Sequence, residues 1–290
     1  MKKKNLSGFV FVLPALLINV IIILVPAVAT VYFSFTEWNG LGTPKFNGID
    51  NFISLFHNES LFVAIKNNIK WTIFFLIVPI AIALFIAVIL LFRKRGRTAL
   101  QSIFFIPNII SPVVICAIFS SMILHPRSGI LGWINNLGIL SEKLVNPLTQ
   151  QATSIWACMA VDCWHWWGFL AVVFLAAMRQ VDDSLIEAAE IDGAGFFRKF
   201  ISVIIPSIRS NILFMMLMTI IWSFLSFDYI WILTGGGPGN SSEMLSTLSY
   251  RYSFYTHDIG LGSATALIMS FLAGIVIVFY VRMQVKEGKS

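Results

Sequence analysis

The sequence predicts an all-α protein that crosses a membrane six times, and three observations carry that prediction. Of 290 residues 58% are hydrophobic and 12% charged, whereas soluble domains run at about 45–50% apolar and about 25% charged. Six stretches are long and apolar enough to span a bilayer. Basic residues concentrate in alternate loops between those stretches. So little polar surface cannot cover a water-soluble globule, which excludes a soluble enzyme, a disordered protein and a nucleic-acid binder. The net charge of +6 does not argue for nucleic acid, because the basic residues are spread along loops.

A spanning helix needs about 20 mostly apolar residues to cross roughly 30 Å of hydrocarbon. The six spans read as residues 8–35, 67–92, 101–124, 152–178, 212–234 and 261–282, and the chain 1–290 as a single transmembrane domain. The first is too long for the apolar region of a signal peptide, and no small-residue cleavage site ends it. The second contains Pro79, and the third Pro107 and Pro112. Such prolines are tolerated where neighbouring helices satisfy the freed carbonyls, so they read as kinks in continuous spans. The fourth span carries Asp162 and His165, the fifth Asp228 near its outer end, and the sixth closes the set.

Orientation follows from Lys and Arg. Fourteen of the twenty basic residues fall on the two termini and on alternate loops: Lys2, Lys3, Lys4, Arg93, Lys94, Arg95, Arg97, Arg179, Arg198, Lys199, Arg209, Arg282, Lys286 and Lys289. Basic loops stay in the cytoplasm, so both termini are expected there. The opposite loops, 36–66, 125–151 and 235–260, are longer, yet too short for a separate domain. Trp38, Trp71, Trp133 and Trp231 lie near the outer boundary, as interfacial tryptophans do. Cys116, Cys158 and Cys163 fall inside spans, where they read as small apolar side chains rather than a disulfide framework or a zinc site.

A charge at mid-membrane costs at least about 2.5–3.5 kcal/mol on insertion scales and usually faces a cavity. Asp162 lies near mid-depth in the fourth span. His165, Trp166 and Phe169 follow on the same helical face. Carboxylate, imidazole and rings together suit a sugar: polar groups bond hydroxyls and rings cover its C–H face. They equally suit a structural Asp–His pair packed between helices. Two ligands are too few for a metal. In the fifth span Thr219, Trp222, Ser223 and Ser226 share one helical face, as ligand contacts or as helix–helix glue. Asp228 reads as a gate or as a snorkelling interface residue.

The basic loop 179–211 has its own pattern. Ser184 and Glu187 have the spacing of a capping box, which predicts a helix start, and Asp182 and Asp183 favour its positive end. Leu185, Ile186, Ala188, Ala189 and Ile191 give two turns of apolar surface. Gly193 and Gly195 are expected to end the helix and reverse the chain. A second helical stretch, 196–205, follows with Phe196, Phe197, Phe200, Ile201 and Ile204, before Pro206 kinks or restarts the chain. Such a helix–Gly–helix element either enters a groove on a partner or rests on the lipid surface.

Glu187-Ala188-Ala189, Asp192-Gly193-Ala194 and Pro206 stand at the spacing of the EAA loop of the permease subunits of binding-protein-dependent ABC importers. The chain resembles that family, with Val203 and Ile205 replacing the family's Ile and Leu. The run Thr234–Asn240, the segment Tyr250–Phe254 and the opening with Pro14, Pro26, Ser34-Phe35-Thr36 and Trp38 are similar to the maltose-type carbohydrate permeases. The resemblance implies the type I ABC permease fold. It also implies a multi-pass protein of a bacterial or archaeal cell membrane, paired as a heterodimer with a second, homologous permease. Two copies of a cytoplasmic ATPase, which bind ATP and Mg, and an extracytoplasmic sugar-binding protein complete the implied assembly. Glu187, Ala188, Ala189, Asp192, Gly193, Ala194, Phe197 and Pro206 would couple to the ATPase. Asp162, His165, Trp166, Phe169, Thr219, Trp222, Ser223 and Ser226 would take sugar contacts, and since they differ from the maltose pattern, the sugar is expected not to be maltose. No GxxxxGK[ST] loop is present, so this chain cannot cradle ATP phosphates itself, and it is expected to be neither an enzyme nor a cofactor protein. Two rivals remain at this point: a secondary transporter with Asp162–His165 as a proton relay, and a membrane scaffold.

Overall fold

The computed structural model describes residues 6–93, 95–138 and 142–287. Lys2, Lys3, Lys4, Lys94 and Lys289 of the orientation argument lie outside the described residues. In hydrocarbon every backbone N–H and C=O must be satisfied within the chain, and long helices do this. Among the described residues four helices are long and apolar enough to cross a membrane alone: Phe11–Phe33, Glu59–Phe92, Ser154–Met178 and Ile259–Arg282. Two bent pairs, 97–123 and 196–225, qualify when each is taken as one span, for up to six; the second begins inside the loop expected at 179–211 and not at the expected residue 212.

The chain forms two compact units. One draws on the sequence up to Phe62 and on Leu248–Leu272. It opens with α1 (Leu6–Asn19) and α2 (Val25–Phe33), joined by a π-helical stretch, Val20–Leu24. Pro26 has no N–H to donate to the carbonyl four residues back. The ladder widens just before it, and the Val25 N–H bonds to the Val20 carbonyl. None of the apolar window of this helix is buried, as suits a helix bathed in lipid. Two short strands follow, β1 (Thr36–Glu37) antiparallel to β2 (Lys45–Phe46), with Glu37 opposite Lys45. Then comes α3 (Asp50–Phe56). Buried Asn51 donates to the carbonyls of Ser34 at 3.0 Å and Thr36 at 2.9 Å, so it pins the end of α2 to the strand.

The other unit holds Val63–Thr247 and the chain from Ala273 onward. The helix α4 (Glu59–Phe92) supplies the second span. It begins eight residues before the expected start, because Asn58 caps it by accepting from the Ser60 N–H at 2.9 Å. Pro79 does not interrupt it. The third span was expected to be continuous, and it is not. α5 (Arg97–Ile109) and α6 (Pro112–Ile118, extended by a π stretch to Ile123) meet at 95°. The residue before a proline is driven out of helical conformation, and Ser111 stands extended before Pro112. After α7 (Ile130–Asn136) comes α8 (Ser154–Met178), the buried axis of the unit. One apolar core joins Ala83, Ala87 and Leu90 of α4 to Leu170, Phe174 and Met178 of α8. A second joins Trp71 and Phe75 to Ile115, Cys158 and Met159. Trp71 is 1% exposed and stacks on Phe75, so it belongs to the core and not to the expected interfacial belt.

The chain continues through α9 (Asp183–Ile191) and α10 (Phe196–Lys199), then a π stretch, Phe200–Ile204, and α11 (Ile205–Ser207). Here again the π turn directly precedes an X–Pro bond, and Pro206 widens the helix without ending it. The break falls two residues later at Ile208, where α11 gives way to α12 (Arg209–Leu225) after a 72° bend. The fifth span was expected to run to residue 234. Instead α12 stops at Leu225, Ser226 is extended, and a short α13 (Asp228–Leu233) follows. Finally come α14 (Leu245–Tyr250) and α15 (Ile259–Glu287).

Candidate functional site

The break after α12 opens a cavity of about 260 Å³ within the second unit. α8 contributes Asp162, His165 and Trp166; α12 contributes Thr219, Trp222 and Ser223; the broken segment contributes Ser226, Phe227, Asp228 and Tyr229. Thus seven of the eight expected substrate residues line one space. Phe169 does not line it, but packs on Trp166 at 5.1 Å and Trp222 at 6.3 Å between ring centres. Ser226 was expected on the helical face shared by Thr219, Trp222 and Ser223; it reaches the cavity from extended backbone instead. Trp71, Phe75 and Tyr229 also line the wall and were not anticipated, because nothing in their local pattern distinguishes a cavity ring from a core ring.

Polar groups in the wall divide by what they bond. The Ser223 hydroxyl donates to the Thr219 carbonyl at 2.7 Å, so it is engaged within its own helix. The hydroxyls of Thr219 and Tyr229 are buried and have no hydrogen-bond partner among the described residues. Such groups are usually satisfied in native proteins, and an orphan calls for a reason. The Asp162 carboxylate lies 4.0 Å from His165 Nδ1 one turn on, beyond hydrogen-bond reach. Trp166 and Trp222 meet edge to face at 4.0 Å, and His165 lies 5.9 Å from the Tyr229 ring. No cluster of three or more potential metal ligands exists among the described residues.

The break is held by side chains from elsewhere in the unit. Ser246 donates to the Ser226 carbonyl at 2.5 Å. Asn68 on α4 faces the Ser223 carbonyl at 3.5 Å and accepts from the Leu245 N–H at 2.9 Å. Its neighbour Asn67 donates to the carbonyls of Ser241 and Glu243, each at 2.9 Å. Carbonyls that a broken helix leaves unpaired are costly in apolar surroundings, and these amides and the hydroxyl supply their partners. Between α13 and this latch runs the glycine-rich turn, in which Gly235, Gly236, Gly239 and Asn240 all have positive φ.

The second candidate region is the 179–211 loop. The first turn of α9 is capped by Asp182, whose Oδ1 accepts from the Ser184 N–H at 2.9 Å. The cap therefore sits two residues before Ser184, and the expected Ser184–Glu187 box does not form. That hydrogen bond holds the Asp182 carboxyl below its usual pKa. At the other end Gly193 takes φ +74°. The Ala194 N–H reaches back to the Ala189 carbonyl at 2.9 Å and the Gly193 N–H to Glu190 at 3.0 Å, which is the Schellman closure. Gly195 was expected to share this reversal, but it is extended and starts α10. Lys199 bridges back to Glu190 at 2.5 Å and lies 5.4 Å over the Phe92 ring at the end of α4. Phe196 packs edge-on to the same ring. The two helices are thus tied together and to α4, while no residue of α9 is buried. Glu187, Ala188, Asp192 and Gly193 are exposed, Ala189 and Ala194 half-buried, and Pro206 exposed. Ile191 is 87% and Phe197 68% exposed.

Residues 79–286 match the sequence profile of a family described as "binding-protein-dependent transport system inner membrane component". The chain is 26% identical to a probable starch degradation products transport system permease of Thermoanaerobacterium thermosulfurigenes, over 98% of this chain and 96% of that one. It is 29% identical to a multiple sugar-binding transport system permease of Streptococcus mutans, over 96% and 95% of the two chains. It is 30% identical to an osmoprotective compounds uptake permease of Synechocystis, over 94% and 96%. Among solved structures, a chain of a bacterial ABC transporter that imports the acidic polysaccharide alginate superposes with a TM-score of 0.85 at 22% identity, over 98% and 96% of the two chains. The same transporter type, in complex with a pentasaccharide-bound periplasmic protein, gives 0.87 at 22% identity, over 99% and 97%.

Proposed function

Because this chain belongs to the family of binding-protein-dependent transport system inner membrane components, we propose that it is one permease subunit of an ATP-driven saccharide importer. The observation that carries the saccharide reading is the cavity between α8, α12 and the break: two buried hydroxyls, Thr219 and Tyr229, with no partner among the described residues, stand amid aromatic rings and carboxyl groups. Hydroxyl-rich cargo satisfies such groups, and rings cover its C–H faces. A second, homologous permease completes the pathway. An extracytoplasmic binding protein delivers cargo at the outer face, and two cytoplasmic ATPase copies bind ATP and Mg on the inner face. Both termini lie in the cytoplasm.

In this reading α9 and its Gly193 turn seat in a groove of the ATPase. The exposed Glu187, Ala188 and Phe197, with half-buried Ala189, are what it offers, and the Lys199–Glu190–Phe92 tie transmits the ATPase's closure to α4. Mild purification from the native membrane tests the assembly: an ATPase and a second permease should co-purify with this chain. Vesicles containing the complex should take up saccharide only with ATP. Uptake that persists without ATP and collapses with an ion gradient would instead favour a secondary transporter.

A further inference from the structure

The charge of the cavity narrows its cargo further, an inference that rests on the saccharide reading above. Asp162 and Asp228 both line the space, and no Lys or Arg among the described residues lines it. His165 is the one basic group in the wall. Its 4.0 Å separation from Asp162 leaves the carboxylate without a hydrogen-bonded counter-charge from it. Two carboxyl groups and one imidazole give the wall acidic side chains and no permanent cation among its described residues. The six rings of Trp71, Phe75, Trp166, Trp222, Phe227 and Tyr229 act in the same direction, because an aromatic face attracts cations and repels anions. The hydroxyls of Thr219 and Tyr229 have no hydrogen-bond partner among the described residues, and they line the same space as the two carboxyl groups.

We infer that this cavity is a charge filter: it takes neutral and amino-bearing saccharides and rejects acidic ones, with Asp162 and Asp228 as the residues that discriminate. An ammonium group on the cargo offsets the cost of holding carboxylates at membrane depth. A uronate brings a negative charge into a space where no Lys or Arg among the described residues can receive it. Asp162 and Asp228 stand on different elements, α8 and α13, and both line the cavity.

The test uses the complete importer in nanodiscs without its binding protein, so that only the membrane pathway selects. Matched α-1,4 and β-1,4 trisaccharides of glucose, glucosamine and glucuronic acid are titrated by calorimetry. The glucosamine trimer should bind about tenfold more tightly than the glucose trimer, and the glucuronate trimer should not bind measurably. Asp162→Asn with Asp228→Asn should collapse the amino-to-neutral ratio toward one and admit the uronate. Because ratios are read, a general loss of affinity in the variants cancels. Glucuronate binding equal to glucose in the unaltered importer overturns the filter and leaves the saccharide reading standing, as does a ratio that the double variant does not move. Binding of none of the neutral or amino trimers overturns the saccharide reading itself.

Discussion

Asp182 holds the first turn of α9 through one side-chain hydrogen bond, and its carboxyl is drawn below the ordinary carboxylate range by that bond. A depressed folded pKa stabilises above the unfolded value, about 3.9, and the benefit is lost as pH falls through the folded one. Amide exchange at residues 183–187 should therefore quicken, relative to the rest of the chain, below about pH 4. Asp182→Asn, an uncharged cap, should flatten that dependence, which exchange mass spectrometry reads directly. Gly168 marks a different constraint: a Cβ there would run into the Phe104 carbonyl of α5. Gly168→Ala should destabilise the packing of α5 on α8 by about 1–3 kcal/mol, seen as a lower thermal midpoint of the purified complex. At this scale the sequence is only partly legible. Asp182, Asp183 and Ser184 are all good caps, and spacing to Glu187 favoured the wrong one. A core tryptophan and an interfacial one look alike in sequence, which is why Trp71 was placed at the boundary. By contrast, Asp162, His165 and Trp166 share a helical face by arithmetic alone, and the helix was long enough for the arithmetic to hold.

Helices were legible where apolar runs were unbroken, and their interruptions were not. The Ser111-Pro112 pair carried a start signal, Pro at the first helical position, that apolarity on both sides masked. Ser226 had no comparable local mark. Its break depends on Asn68 and Ser246, which lie 158 residues before and 20 residues after it in the sequence and satisfy carbonyls around it. The α9 turn shows the opposite case, since Gly193 announced itself. Gly193→Val forces a β-branched residue into positive φ, a conformation that such residues rarely adopt. In the proposed importer it should leave membrane insertion intact, lower saccharide uptake at least tenfold, and leave ATP hydrolysis no longer stimulated by the loaded binding protein. Parallel uptake and phosphate-release assays on vesicles check this, and normal coupled uptake would sink the role given to the turn.

At the level of the whole molecule, composition and apolar stretches sufficed to read the fold class, while two of the apolar stretches are bent pairs that window averages cannot resolve. The proposed assembly is one in which no single chain is complete, and this bears on α9. A helix with no buried residue, ending in exposed Ile191 and followed by exposed Phe197, is what a protease or chaperone takes for an unfolded segment. A copy of this chain made without its partners would carry that signal continuously, and seating α9 in a groove would hide it. The cell could then match permease numbers to ATPase numbers by degradation alone, with no regulation of synthesis. A pulse-chase measurement should find a half-life several-fold shorter when the ATPase is absent, and replacing Ile191 and Phe197 by serine should lengthen it again.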